Sequence, residues 1–166
     1  MNITIVSSTT LKQQTIDLSN VNYTLHVTQK SHNFAFGTAV NCGTISDCLE
    51  SGNDDKYCQF ANDHYNMLVC NYKMKIRYVE EVQGEYHYKE GDNMVEWTKL
   101  HNMRARGHCL LWAKESNNPD WLQTMYGEEF MDAVYDRVDG AVKRYNGYVE
   151  HWDVINEMID LSLIHI

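Results

Sequence analysis

The sequence predicts an α/β chain folded as a (β/α)8 TIM barrel, with about the first four βα units present and a short β ribbon ahead of them. Two observations predict it. Apolar runs of strand character alternate with longer stretches of helical spacing, the pattern of βαβ units on a parallel sheet. The chain also has no Gly-rich dinucleotide turn, and its G-x-x-x-x-G spacings lack the Lys-Ser/Thr of a phosphate loop, which favours a barrel over a doubly wound nucleotide-binding sheet. Residues 33–158 supply about half of the roughly 250 residues that a barrel takes.

Residues 1–32 read as an N-terminal ribbon or linker, because Ile3/Ile5 and then Tyr23/Leu25/Val27 alternate with polar neighbours at the period of half-buried strands. From Phe34, FAFGTAV predicts the first barrel strand, and a polar loop containing Cys42, Cys48 and Cys58 follows it. KYCQFANDHYNML predicts a helix and MLVCNY the second strand. GDNMVEWTKLHNM sets Met94, Trp97, Leu100 and Met103 at helical spacing, and RARGHCLLW is the third strand. GEEFMDAVYDRVDGAVKRYNG places Phe130, Val134, Val138 and Ala141 on one helix face. Acids occupy its first turn, Lys143 and Arg144 its last, and Gly147 stands beyond as a stop. YVEHWDVINEM predicts the fourth strand. Residues 159–166 fall outside the pattern, and LSLIHI reads as a non-native processing scar.

The net charge is −9, with both signs mixed along the chain and no Lys/Arg run, so nucleic acid is not an expected partner and an uncharged polymer fits better. No stretch approaches the roughly 18 to 20 apolar residues of a membrane helix, and MNITIVSSTT is not a signal peptide, so the chain is either cytosolic or lacks its true beginning. The sequons Asn2-Ile3-Thr4 and Asn22-Tyr23-Thr24 agree with secretion, as do the cysteines of the polar loop, for which disulfides are expected with open connectivity.

Barrel active sites lie at the C-terminal ends of the strands. The polar residues there are Asn41, then Asn71 to Lys75, then His108 and Trp112, and finally Asn156-Glu157. Glu157 leaves a mostly apolar strand beside an amide and aromatic surface, a setting in which partial burial raises a carboxyl pKa towards that of a general acid. The competing reading is a solvated glutamate at a loop start. By spacing alone His108 reads first as a hydrogen-bonded core histidine. With no H-x-x-x-H or C-x-x-C pair, neither a metal nor any other cofactor is expected. Trp97 reads as core. Trp112, Trp121 and Trp152 lie at or past strand ends, where aromatic faces stack on sugar rings, and Trp112 is the candidate cleft wall.

RGHCLLW, the following PDWL, and HWDVINEM resemble the third- and fourth-strand motifs of glycoside hydrolase family 10, the xylanase family. FAFGTAVN is similar to that family's first strand and HYNMLVCNYKMK to its second-strand segment, so the resemblance runs from about Phe34 to Met158. It implies a catalytic domain over 33–158 that hydrolyses internal β-1,4 bonds of xylan or a related plant-type glycan with retention, using two glutamates. Glu157 matches the acid/base. Asn156 matches the asparagine that hydrogen-bonds the sugar 2-OH, Lys75 a lysine of the glycone subsites, and His108 a buttressing histidine. Asn71, at the second strand end, is also assigned to substrate binding. Asn71, Tyr72 and Lys73 stand where many members have Glu-Asn-Glu, and Ala113 where a sugar-binding histidine is usual, a form closer to the animal and plant branch.

The resemblance places the nucleophile on a seventh strand, so 166 residues alone are expected to be inactive, a fragment of a secreted enzyme. A noncatalytic carbohydrate-binding or structural module built on the same barrel is the alternative. An open half-barrel leaves strand edges and helix faces without partners, which predicts poor stability or aggregation.

Overall fold

The computed structural model describes residues 2–6, 13–17 and 34–158. Strands β1 (Asn2–Val6) and β2 (Gln13–Asp17) form a two-stranded antiparallel ribbon running from Asn2 opposite Asp17 to Val6 opposite Gln13. The expected Tyr23–Val27 strand lies outside the described residues.

The main sheet holds β3 (Gly37–Val40), β4 (Met67–Cys70), β5 (Arg104–Trp112) and β6 (Val149–Asn156), side by side in chain order and all parallel. Helices fill every crossover. They are α1 (Cys42–Ser51) and α2 (Lys56–His64), then α3 (Ile76–Val79) and α4 (Lys89–Leu100). A 3-10 turn at Glu115–Asn117, α5 (Asp120–Gln123) and α6 (Gly127–Arg144) complete the third crossover. Sequential parallel strands with helical crossovers are the beginning of a barrel.

The segment expected to be a polar loop after β3 is instead α1. Asn41 caps it, its Oδ1 accepting from the N–H groups of Gly43 and Thr44, and Gly52 closes it at φ 66° with its N–H donated to Leu49 O. Cys42, Ile45 and Cys48 are buried along one side. That spacing is helical, but Gly43, Thr44, Ser46 and Asp47 between them give the segment a loop-like composition.

Two disulfides form. Cys48 bonds to Cys58 and so ties α1 to α2, while Cys42 bonds to Cys70 and ties the first turn of α1 to the end of β4. Cys109 is buried and unpaired.

One core cluster gathers Val40, Ile45, Leu68, Met94, Trp97 and Ala105 between the sheet and helices α1 and α4. A second joins Ile76, Leu111 and Leu122 to Trp121, Phe130 and Val134 beneath α6. On β5, Ala105, Gly107 and Cys109 are buried, and Arg106 and His108, alternating with them, are only partly so. A Cβ at Gly107 would lie 2.1 Å from the Trp152 ring, so only glycine lets that indole rest on the strand. No helix among the described residues is long and apolar enough to cross a membrane.

Candidate active site

The four strand ends contribute unequally. Asn41 is consumed as the cap of α1, and its N–H donates to the Tyr57 hydroxyl at 3.0 Å. Asn71 is half-buried just past β4 and donates its N–H to Val40 O, which holds the first two strand ends level.

Lys75, one turn on, is buried with its ammonium 4.3 Å from the centroid of the Trp112 ring and 4.9 Å from that of Tyr72. Burial lowers its pKa, and the neighbouring Cys109 and Glu157 oppose the shift. An ammonium between two aromatic faces is held without a carboxylate in direct contact, its charge met by the ring quadrupoles.

Trp112 is the central member. It ends β5, pairs in register with Asn156, and donates its indole N–H to Glu157 Oε2 at 2.7 Å. The half-buried Asn156 accepts from the Ala113 N–H at 3.0 Å, locking the two strand ends at the level where Glu157 departs. Glu157 has φ 51°, a left-handed conformation that a residue with a Cβ adopts at some cost. It is exposed, so the partial burial expected of it is not found; what the structure supplies instead is a directed hydrogen bond from Trp112.

Deeper along the same strands, His108 Nδ1 lies 2.9 Å from Asp153 Oδ2, and the Arg106 guanidinium pairs with the same carboxylate. Burial pushes the Asp153 pKa up, but the hydrogen bonds and charges of Arg106 and His108 outweigh it and hold the carboxyl below its ordinary value. The His108 ring then meets Trp112 edge-on, with centroids 6.2 Å apart. One contact chain therefore runs from Arg106 through Asp153, His108 and Trp112 to Glu157.

Lys75, His108 and Glu157 all contact Trp112, and Asn156 and Asn71 stand at the adjoining strand ends. Trp121 and Trp152 are engaged in packing instead. Trp121 donates to Glu80 O from the second core cluster, and Trp152 covers Gly107 beside Tyr145. Arg106 and Asp153 were not singled out from sequence. Arg106 stands at period two from His108 on β5, which puts both on one strand face, and Asp153 is the β6 residue in register with His108.

Among the described residues, Cys48, Asp54 and Cys58 cluster at metal-ligand distances, but the two sulfurs are joined to each other and offer no thiolate.

Residues 24–163 match Glycosyl hydrolase family 10. The chain is 31% identical over 136 residues to Endo-1,4-beta-xylanase 2 of Arabidopsis thaliana, covering 82% of this chain and 12% of the plant protein. It is 33% identical over 129 residues to Anti-sigma-I factor RsgI6 of Acetivibrio thermocellus, covering 78% of this chain and 16% of that one. The chain thus spans less than a fifth of the length of these relatives. Its fold matches the crystal structure of xylanase XynB from Paenibacillus barcinonensis complexed with a conduramine derivative, with a TM-score of 0.70 at 25% identity over 86% of this chain and 41% of that one. It likewise matches xylanase 10B from Thermotoga petrophila in complex with xylobiose, with a TM-score of 0.72 at 24% identity over 91% of this chain and 44% of the other. The match over 24–163 and the strand-end residues agree, and the chain belongs to glycosyl hydrolase family 10.

Proposed function

We propose that this chain forms the acid/base side of the cleft of a retaining endo-β-1,4-glycanase that is xylanase-like in substrate class. The observation that carries the reading is the Trp112–Glu157 hydrogen bond at the C-terminal end of the parallel sheet, with Lys75 seated on the same indole. Glu157 in its protonated form donates to the glycosidic oxygen as the bond breaks, and as carboxylate it then takes a proton from the attacking water. Trp112 fixes the carboxyl by its N–H and offers ring surface to the sugar. Asn156, one residue earlier, presents its amide to the 2-OH, and Lys75 and Asn71 bind on the glycone side. His108, oriented by Asp153, supports Trp112.

Retention requires a second carboxylate about 5 Å from the acid/base. Asp153 is paired with Arg106 and His108 and is not that carboxylate in this reading, which takes the second one from outside the described residues. Secretion is part of the same proposal and is supported by the two disulfides, which persist in oxidising compartments.

A second reading, a noncatalytic carbohydrate-binding module, is favoured by Asn71-Tyr72-Lys73 and Ala113, and by a relative whose name is that of an anti-sigma factor. One experiment separates the two. Residues 34–158 are joined to the C-terminal half-barrel of an active family member, and release of reducing ends from β-1,4-xylan is measured. Hydrolysis that disappears in Glu157→Gln establishes the catalytic reading. A folded hybrid that binds xylotetraose with the same affinity before and after Glu157→Gln, and never cleaves it, establishes the module.

A further inference from the structure

We infer that Arg137, on the helix behind the sheet, is a positioning residue that sets the spacing between Lys75 and Trp112. It lies on the buried side of α6 and is 6% exposed. Its Nη2 donates to Met74 O, the carbonyl immediately before Lys75, and its Nε points at Leu110 O, 3.5 Å away and two residues before Trp112. One rigid guanidinium therefore spans the two backbone segments that carry the two halves of the cation–π pair.

The identity of the residue supports this role. A buried guanidinium loses hydration, which pushes its pKa down, and among the described residues no carboxylate forms an ion pair with it. An apolar residue of similar size would fill the same place without that loss. What only arginine supplies is a planar fork with donors directed at two carbonyls at once, whereas a lysine ammonium is a single point on a flexible stem. Lys75 and Trp112 are separated by 37 positions in the chain; the pairing of β4 with β5 and the packing of Ile76 with Leu111 bring their segments together, and the guanidinium adds directed hydrogen bonds to the backbone of both.

The inference rests on the glycan reading only for its sugar-binding consequence, and the test keeps the two apart. Lys75 and Lys89 are labelled with limiting acetic anhydride and quantified by mass spectrometry in the unsubstituted chain, in Arg137→Lys and in Arg137→Met, alongside thermal melts and xylotetraose titrations. Lys89 is exposed and serves as the internal standard. The expected result is that Arg137→Lys keeps a cooperative melt while labelling of Lys75 relative to Lys89 rises about tenfold and xylotetraose affinity falls about tenfold, the scale of one charge-assisted hydrogen bond. Lys75 staying protected in a folded Arg137→Lys or Arg137→Met overturns the inference. So does loss of the cooperative melt in both variants, which assigns Arg137 to the fold itself. If the unsubstituted chain binds no xylotetraose, the glycan reading fails, and the labelling ratio still decides the role of Arg137.

Discussion

Glu157 shows how much a single position draws from its neighbours. Its left-handed φ directs the carboxylate out of β6, and the indole of Trp112 holds one oxygen, so the acid has a fixed direction although it is exposed. Trp112→Phe keeps ring area and removes the donor; it should weaken hydrolysis in the hybrid barrel much more than it weakens xylotetraose binding, a split read by measuring kcat and KM together. Equal loss in both would mean that the hydrogen bond only helps to bind. Asp153 supports a second prediction at this scale. Its folded pKa lies below the ordinary 3.8, so its contribution to stability is present above that value and is lost as pH falls through the folded one. Melting temperature should therefore drop as pH falls below the ordinary Asp value, and Asp153→Asn should flatten that acid limb. An unchanged limb in the variant would show that other carboxylates govern it. Gly107 gives the third. Any Cβ there overlaps the Trp152 ring, so Gly107→Ala should cost about 1–3 kcal/mol in urea denaturation, and Trp152→Leu in the same chain should recover part of it.

At the scale of elements, the two disulfides act on different distances. Cys42–Cys70 closes a sequence separation of 28 and Cys48–Cys58 one of 10, so on chain entropy alone the first contributes about 1 kcal/mol more. The paired variants Cys42→Ala with Cys70→Ala, and Cys48→Ala with Cys58→Ala, should differ in that direction in urea midpoints. A reversed order would mean that packing around α1 and α2 outweighs loop closure. Most of these elements could be read from sequence, and the reasons are local. β5 occupies RARGHCLLW from end to end, and α6 runs from Gly127 to Arg144 between the turn and stop that its composition suggested. The helix α1 escaped because Cys42, Ile45 and Cys48 are spaced among Gly43, Thr44, Ser46 and Asp47, and hydrophobic periodicity is weak when the intervening residues resemble a loop. The site divides in the same way. Residues at strand ends were found because the barrel tells where to look. Arg106, Asp153 and Arg137 were not, since their importance lies in pairings 47 and 27 to 63 positions apart that no local pattern encodes.

For the molecule as a whole, the described structure is a sheet with two edges. β6 has a strand partner on one side only among the described residues, and it presents Val154 at 44% and Ile155 at 45% exposure. The outer side of α6 adds Met131 and Tyr135, also exposed. An edge with free backbone groups beside apolar side chains is a template for pairing with another chain, and the exposed charge on β6, Glu150, is turned to Arg104 of the neighbouring strand. The 166-residue chain should therefore self-associate as its concentration rises, with a weight-average mass in sedimentation equilibrium above that of the 19.4 kDa monomer. Ile155→Lys places a charge on the edge itself and should shift the distribution back to monomer. Leu100→Lys removes an even more exposed apolar side chain at the end of α4, away from any strand edge, and should leave association unchanged. If both substitutions restore the monomer equally, association is a matter of total exposed apolar surface. If neither is needed because the chain is already monomeric with a cooperative melt, the four-strand sheet is a self-sufficient fold, and the energetic reason for covering β6 disappears.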